Sequence, residues 1–292
     1  MNIKFVFHER KIYMRIITDS AADFTREELQ QLNISCVPMQ VVFDQESYSA
    51  ANLSAESFWQ RLLSGEIAKT SQPSPNAFLQ EFETAESEDI LYIGVSSSLS
   101  GTIQSATIAA SMLENAKLHI VDTLTGAAGQ KLLVMHACRL RDEGRLTASE
   151  ITQELLALRG RIHVYASLDT LENLARSGRI SKAAASIGTL AQLKPLVRLT
   201  PETNGHIDVC GKAIGRHRAI DGIVKLIAKH RIDERFPVIP IYSYASDNCT
   251  AMVKKLISSG LSVSEDMYSA LGPTLSTHIG PNAFGVAFVA AE

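Results

Sequence analysis

The sequence predicts an α/β protein of two α/β domains, the first with a largely parallel sheet, the second with a mixed sheet, and a ligand cleft between them. Three observations carry this prediction. Short apolar runs alternate with amphipathic stretches through most of the 292 residues, the pattern of strands separated by crossover helices. One amphipathic stretch opens on Thr25 with Glu28 three positions on, a helix-start signature. No low-complexity linker interrupts the chain, so the two halves pack closely and the cleft between them is the default ligand site.

The elements follow in order. "RIITDS" is a strand ending in a polar loop, and "TREELQQLN" a helix with Thr25 as N-cap and Glu28 three residues on. "ISCVPMQVVF" is extended, and Pro38 makes it an edge or an interrupted strand. "SAESFWQRLLSG" is a capped helix ending at Gly65, "ILYIGVS" a buried strand, and the stretch from Thr102 to Leu113 a helix. "KLHIVDT" is the next strand, followed by helices from Ala127 to Glu143 and from Thr147 to Arg161. The chain then restarts with the strand "IHVYASL" and a short helix, "LENLARSG". "HIDVCGKA" reads as an antiparallel strand, then "RAIDGIVKLIAKH", "VIPIYSY", "CTAMVKKLISSG" and "FGVAFVA" alternate helix and strand. The less regular order of this half predicts the mixed sheet. We therefore expect a domain over 14–160, a second over 161–292, and an N-terminal extension over 1–13 that the fold does not need, since Met14 immediately precedes the first strand.

The bulk properties exclude several classes. With 46% hydrophobic and 20% charged residues and a net charge of −3, the chain is ordinary for a globular protein. It offers no basic excess for nucleic acid. Cys36, Cys138, Cys210 and Cys249 are scattered, without a CxxC pair or a histidine at ligand spacing. That argues for a reducing compartment and against a metal site. The apolar run Phe5 to Phe7 is too short for a signal peptide, and no stretch approaches the ~20 apolar residues of a membrane span, so no stable membrane insertion is expected and a cytoplasmic location follows.

Four segments could carry chemistry. Asp19, Ser20 and Asp23 follow the carboxyl end of the first strand, the crevice where open α/β sheets bind ligands. Such residues also commonly satisfy loop backbone. "TSQPSP", Thr70 to Pro75, is a polar loop stiffened by two prolines. "SSSLSGT" places Ser100 or Gly101 at a helix start, where unpaired N–H groups and the helix dipole suit an anion; plain N-capping by Ser100 is the simpler alternative. No GxxxxGK[ST] and no GxSxG elbow is present, which weakens a nucleotide or serine-hydrolase reading. "THIGPNAFGVAF" sets His278 in a Gly/Pro turn before the last strand. Arg176, Arg179 and Lys182 cluster around Ser177-Gly178, as a helix-end charge patch, a docking patch or a second anion contact. The apolar stretch "AASIGTLAQLKPLVRL" suits the wall of a cavity or a buried helix equally.

Taken together, "DSAAD", "TSQPS", "SSSLSGTIQSA", "LENLARSGRI", "LKPLV" and "HIGPNAFGVAF" resemble the DegV family in order and spacing, from about Met14 to the end. The joint presence of "TSQPS" and "SLSGT" is the specific part. The resemblance implies a bacterial, cytoplasmic carrier with two α/β domains and a fatty acid bound between them. In members studied as FakB proteins a separate fatty acid kinase then makes an acyl phosphate. It places Thr70, Ser100 and Gly101 around the carboxylate with His278 near the head group, and we add Ser71 and Ser20 as neighbouring ligand-binding candidates. Arg176, Arg179 and Arg216 are the docking candidates for a kinase partner; neither cofactor nor metal is implied. Three positions depart from the family: Ser177 where glycine is usual, Asn282 where glycine is common, and Ile214 where arginine is frequent, with Arg216 and Arg218 nearby to supply charge. The rival reading is a serine-dependent acyl hydrolase or transferase with Ser100 as nucleophile, His278 as base and Asp19 as orienter. A phosphorylated metabolite is the third.

Overall fold

The computed structural model describes residues 14–84, 89–113, 117–180, 192–263 and 267–292. The expected extension over 1–13, Lys182, and most of the apolar stretch from Ala183 lie outside the described residues.

The first half holds β1 (Met14–Asp19), α1 (Arg26–Gln31), β2 (Ile34–Val37), β3 (Gln40–Phe43), β4 (Glu46–Ser49), α2 (Ala55–Leu63) and β5 (Ala68–Ser71). It continues with α3 (Pro75–Glu83), β6 (Asp89–Gly94), α4 (Thr102–Ser111), β7 (Leu118–Asp122), α5 (Ala127–Glu143) and α6 (Ala148–Arg159). Strands β2-β1-β6-β7 form a four-stranded sheet in which every pairing is parallel. Register sets Ile16 beside Ile34 on one side and Leu91 on the other. Pro38 lies between β2 and β3, and the chain changes sheets there: β3 joins β4 and β5 in a small antiparallel sheet, order β4-β3-β5. Phe43, Phe58 and Trp59 fill the separate core of that small sheet and α2.

The second half holds β8 (Ile162–Ser167), α7 (Glu172–Arg176), β9 (Leu193–Leu199), β10 (Asp208–Ile214), α8 (Arg216–Ile227), β11 (Ile239–Tyr242), α9 (Asp247–Ser258), β12 (Ser269–Ala270), α10 (Pro273–Ile279) and β13 (Phe284–Val289). Its six-stranded sheet runs β10-β9-β8-β13-β11-β12, antiparallel except where β12 lies parallel to β11. The mixed sheet is thus as expected.

Helix α5 explains why the halves do not drift apart. Ten of its seventeen residues are buried, because one face packs on β1 and β6 and another on β8, β11 and β13. Leu132, Leu133 and Ala137 belong to one core with Ile16 and Leu91 of the first sheet and Val164, Ile241 and Ala287 of the second. A helix buried on two sides needs apolar residues around most of its circumference.

Four elements differ from the sequence expectation. Thr70 and Ser71 end a strand, β5, rather than lying in a loop. The "SP" that follows opens α3: Ser74 caps it by accepting from Ala77 N–H, and Pro75 stands at the first helical position, where no N–H is missed. "LKPLV" is strand β9; its Pro195 pairs with Lys212 of β10. His278 is in the last turn of α10, and the turn proper begins at Gly280.

Candidate functional site

The carboxyl ends of β1 and β6 are tied together by Asp19. Its Oδ1 accepts from Ala21 N–H at 3.0 Å, and its Oδ2 accepts from Val95 N–H at 2.9 Å and Tyr92 O–H at 2.8 Å. The group is fully buried, which pushes its pKa up, and the three donors offset part of that cost. Ser20, next along, accepts from Met39 N–H at 3.0 Å and shares a 3.0 Å hydrogen bond with Thr274 of α10. Both residues hold the rim of a cavity together.

That cavity lies between the six-stranded sheet and the loops at the carboxyl ends of the four-stranded one, where Ala21, Val95, Leu99 and Gly126 line it. Its walls are overwhelmingly apolar. The period-two geometry of strands supplies them: Val164 and Ala166 of β8 and Val197 and Leu199 of β9 face it, while Tyr165 faces the opposite core. Thr274, Leu275, His278 and Ile279 of α10 close one side, and Met39 and Thr70 from the start of β3 and the end of β5 cover it.

The polar groups gather where "SLSGT" meets "TSQP". Thr70 Oγ1 and His278 Nε2 share a hydrogen bond of 2.8 Å. His278 Nδ1 is buried without a partner among the described residues. Burial, and secondarily the Arg179 guanidinium, lower the His278 pKa to about 4, so the imidazole is neutral near pH 7. Ser100 Oγ shares a 2.7 Å hydrogen bond with Thr102 Oγ1. The N-cap of α4 is Gly101, and no side chain caps it. Ser100 is therefore free of the capping duty the simpler sequence reading gave it, and the first-turn N–H groups of α4 stay available to an anion.

Gly101 has a steric reason. A Cβ there would fall 2.1 Å from Gln72 Oε1, because Gln72 reaches over from the end of β5 to donate to Ser105 Oγ at 2.9 Å. The TSQP and LSGT segments are thus pinned to each other.

The cavity is lined by Thr70, Ser100 and His278. Gly101 stands directly behind Ser100, whereas Ser20 supports the rim. Ser71 is exposed, with its hydroxyl on Gln72 O at 3.3 Å, outside the cavity lining. Arg179, grouped in the sequence with the surface cations, lines the cavity instead and donates from Nε to Leu99 O at 3.1 Å. Arg176 and Arg216 are exposed, bonded only to Asn173 and Asn248 among the described residues. Ile214 is 57% exposed. Sequence reasoning missed Gln72, Thr102 and Thr274; Gln72 stood inside a quoted motif, but only the fold brings it to Ser105.

A hydrolytic relay is not assembled. It would need His278 bonded to Ser100 and to Asp19; His278 bonds Thr70, Ser100 bonds Thr102, and Asp19 is taken by Tyr92 and backbone.

Fold and cavity define a class: two α/β layers enclosing a deep apolar site with one polar end. The family model described as "Uncharacterised protein, DegV family" matches residues 13–291, and the chain belongs to the DegV family. A curated relative, the DegV domain-containing protein YteA of Lactococcus lactis, is 32% identical over 281 residues, covering 93% of this chain and 96% of the relative. Among solved structures, a DegV family protein from Thermus thermophilus, described by its fatty acid binding, is 29% identical with a TM-score of 0.84, covering 96% of this chain and 100% of that one. DegV of Bacillus subtilis, described as a fatty acid binding protein, is 27% identical with a TM-score of 0.81 and covers 96% of this chain and 100% of its own. The fatty acid kinase B3 protein of Streptococcus pneumoniae, loaded with linoleic acid, shares the fold at 18% identity and a TM-score of 0.82, covering 96% and 100%.

Proposed function

We propose that this protein is a carrier that binds one long-chain fatty acid, its carboxylate held at the Ser100–Gly101 turn and its acyl chain buried in the cavity between two domains, 14–160 and 161–292. One observation carries the reading: a cavity with apolar walls has its hydroxyl donors, Thr70 and Ser100, beside an uncapped helix start. Hydroxyl and backbone donors to a carboxylate are charge-assisted and about twice as strong as neutral ones. In the tautomer protonated at Nε2, the His278 imidazole donates to Thr70 Oγ1 and leaves the Thr70 proton for the carboxylate. The lining walls then gain roughly 25 cal/mol for each square ångström of acyl surface removed from water. The fatty acid binding named for the Thermus and Bacillus relatives supports this assignment.

The protein acts in this reading as a non-catalytic subunit in the cytoplasm, presenting the carboxylate to a separate fatty acid kinase. Arg176 and Arg216 are exposed cations available for docking, and Ile214, two positions before Arg216, is an exposed apolar group. Extraction of lipid from natively purified protein, followed by mass spectrometry, tests the core of the proposal. A long-chain fatty acid at near one per chain is expected. No extracted fatty acid, together with no binding of added palmitate, would overturn it.

A further inference from the structure

The loop that presents Ser100 is held from the other half of the molecule. Ser96, fully buried, donates from Oγ to Gly205 O at 2.9 Å and accepts from Ser98 N–H at 3.2 Å. Ser98 Oγ donates to Asn204 O at 3.2 Å. Asn204 and Gly205 form the turn between β9 and β10, and both have left-handed backbones, φ 46° and 81°. Two such residues in succession turn their carbonyls toward the loop. The packing is close: a Cβ on Gly205 would sit 2.3 Å from Ser96 Oγ.

Ser96 is also the pivot of the loop. Its carbonyl accepts from Leu99 N–H at 3.0 Å and Ser100 N–H at 3.1 Å, and its N–H donates to Thr125 O at 2.8 Å. Movement of Ser96 therefore moves Ser100 and the start of α4 with it. Neither Ser96 nor Gly205 lines the cavity.

We propose that Ser96 is a positioning residue for head-group binding: clamped against Gly205, it fixes the turn that aims the Ser100 hydroxyl and the first N–H groups of α4 at the carboxylate. This rests on the fatty-acid reading above and assigns the serines ahead of Leu99 a role in it. Leaving Gly205 O and Ser98 N–H unsatisfied loosens the turn without changing the apolar walls. The loss therefore falls on carboxylate recognition and spares tail binding.

The test compares dissociation constants for palmitate and for hexadecanol, which has the same chain and no carboxylate, in wild type, Ser96→Ala and Gly205→Ala. If wild type binds no palmitate, the carrier reading fails and this proposal with it. If wild type binds both with equal affinity, the carrier reading stands and the carboxylate is not held at this turn. Given a wild-type preference for palmitate, Ser96→Ala should weaken palmitate about tenfold, the size expected for stranding a buried hydrogen-bonding group. Hexadecanol should change less than about twofold. Gly205→Ala, which pushes on Ser96 Oγ from the opposite side, should lower the same ratio and carries the test if Ser96→Ala does not fold. An unchanged ratio, or an equal loss for both ligands, would overturn the proposal and leave Ser96 an ordinary packing residue.

Discussion

Replacing Gly101 by Ala should change the sign of its effect according to what stands at position 72. In the wild type the new Cβ meets Gln72 Oε1 at 2.1 Å, Cδ at 2.8 Å and Nε2 at 2.9 Å, all closer than real carbon contacts allow. The backbone at Gly101, φ −73° and ψ 11°, is open to alanine, and the three nearest atoms the Cβ meets all belong to Gln72. Gln72 is exposed and yields by swinging outward, giving up its bond to Ser105 Oγ. Ser105 is 2% exposed and has no water to turn to. One lost hydrogen bond plus a stranded buried hydroxyl costs about 1–3 kcal/mol, a fall in Tm of roughly 2–5 °C. In a Gln72→Ala background the clash is gone, and Gly101→Ala should stabilise by about 0.4–1 kcal/mol through the less flexible unfolded chain. Calorimetric melting of the two single variants and the double variant measures both. Equal signs in the two backgrounds would refute the account of how the two motifs are pinned.

The other predictions test neighbouring groups. Thr70→Val removes a hydroxyl bonded to His278 and should weaken palmitate by about 1–3 kcal/mol, whereas Ser71→Ala, outside the cavity, should leave calorimetric affinity unchanged. Burial raises the Asp23 carboxyl to about 8, with Oδ2 unpartnered among the described residues and Oδ1 accepting from Gly272 N–H at 3.0 Å. A folded pKa above the unfolded one means this group's stability is present in acid and lost as pH rises through about 8. Asp23→Asn keeps the acceptor, suits the left-handed backbone, φ 51°, and should raise Tm more at pH near 9 than near 5; the opposite ordering would be contrary evidence. Burial holds His136, His163 and His278 down to about 4, so their contribution is present above the unfolded value of about 6.5 and lost as pH falls through about 4. His163→Phe, whose ring can stack on Phe288 as the imidazole does, should raise Tm relative to wild type more at pH near 5 than near 7 in thermal melts.

The legible parts of this molecule are those fixed by local physics. Thr25 and Thr147 sit three residues before glutamates, and both close reciprocal capping boxes. The parallel first sheet followed from strands spaced by helices, and the start of α4 from the hydroxylated turn that precedes it. The misread parts are those where a local signal has two tertiary outcomes. Ser74-Pro75 is turn chemistry in isolation and a helix start once Phe78 and Phe82 find a core. Ser100 has the residue type of an N-cap, yet Gly101 takes that position because Gln72 occupies the space beside it. Arg179 reads as a helix-end charge, but the α7 turn points it inward to Leu99. Ser96 and Ser98 bond the loop backbone locally, but their other partners, Gly205 and Asn204, lie more than a hundred positions away and could not be read from the sequence.

The central claim is that a carboxylate sits at Ser100 with its chain in the cavity, and calorimetric titration of palmitate into wild type and Ser100→Ala tests it most directly. The account predicts one site per chain and a loss of about 1–3 kcal/mol on removing the hydroxyl, five- to a hundred-and-fifty-fold in the dissociation constant. Wild-type binding that is unchanged in Ser100→Ala would contradict it.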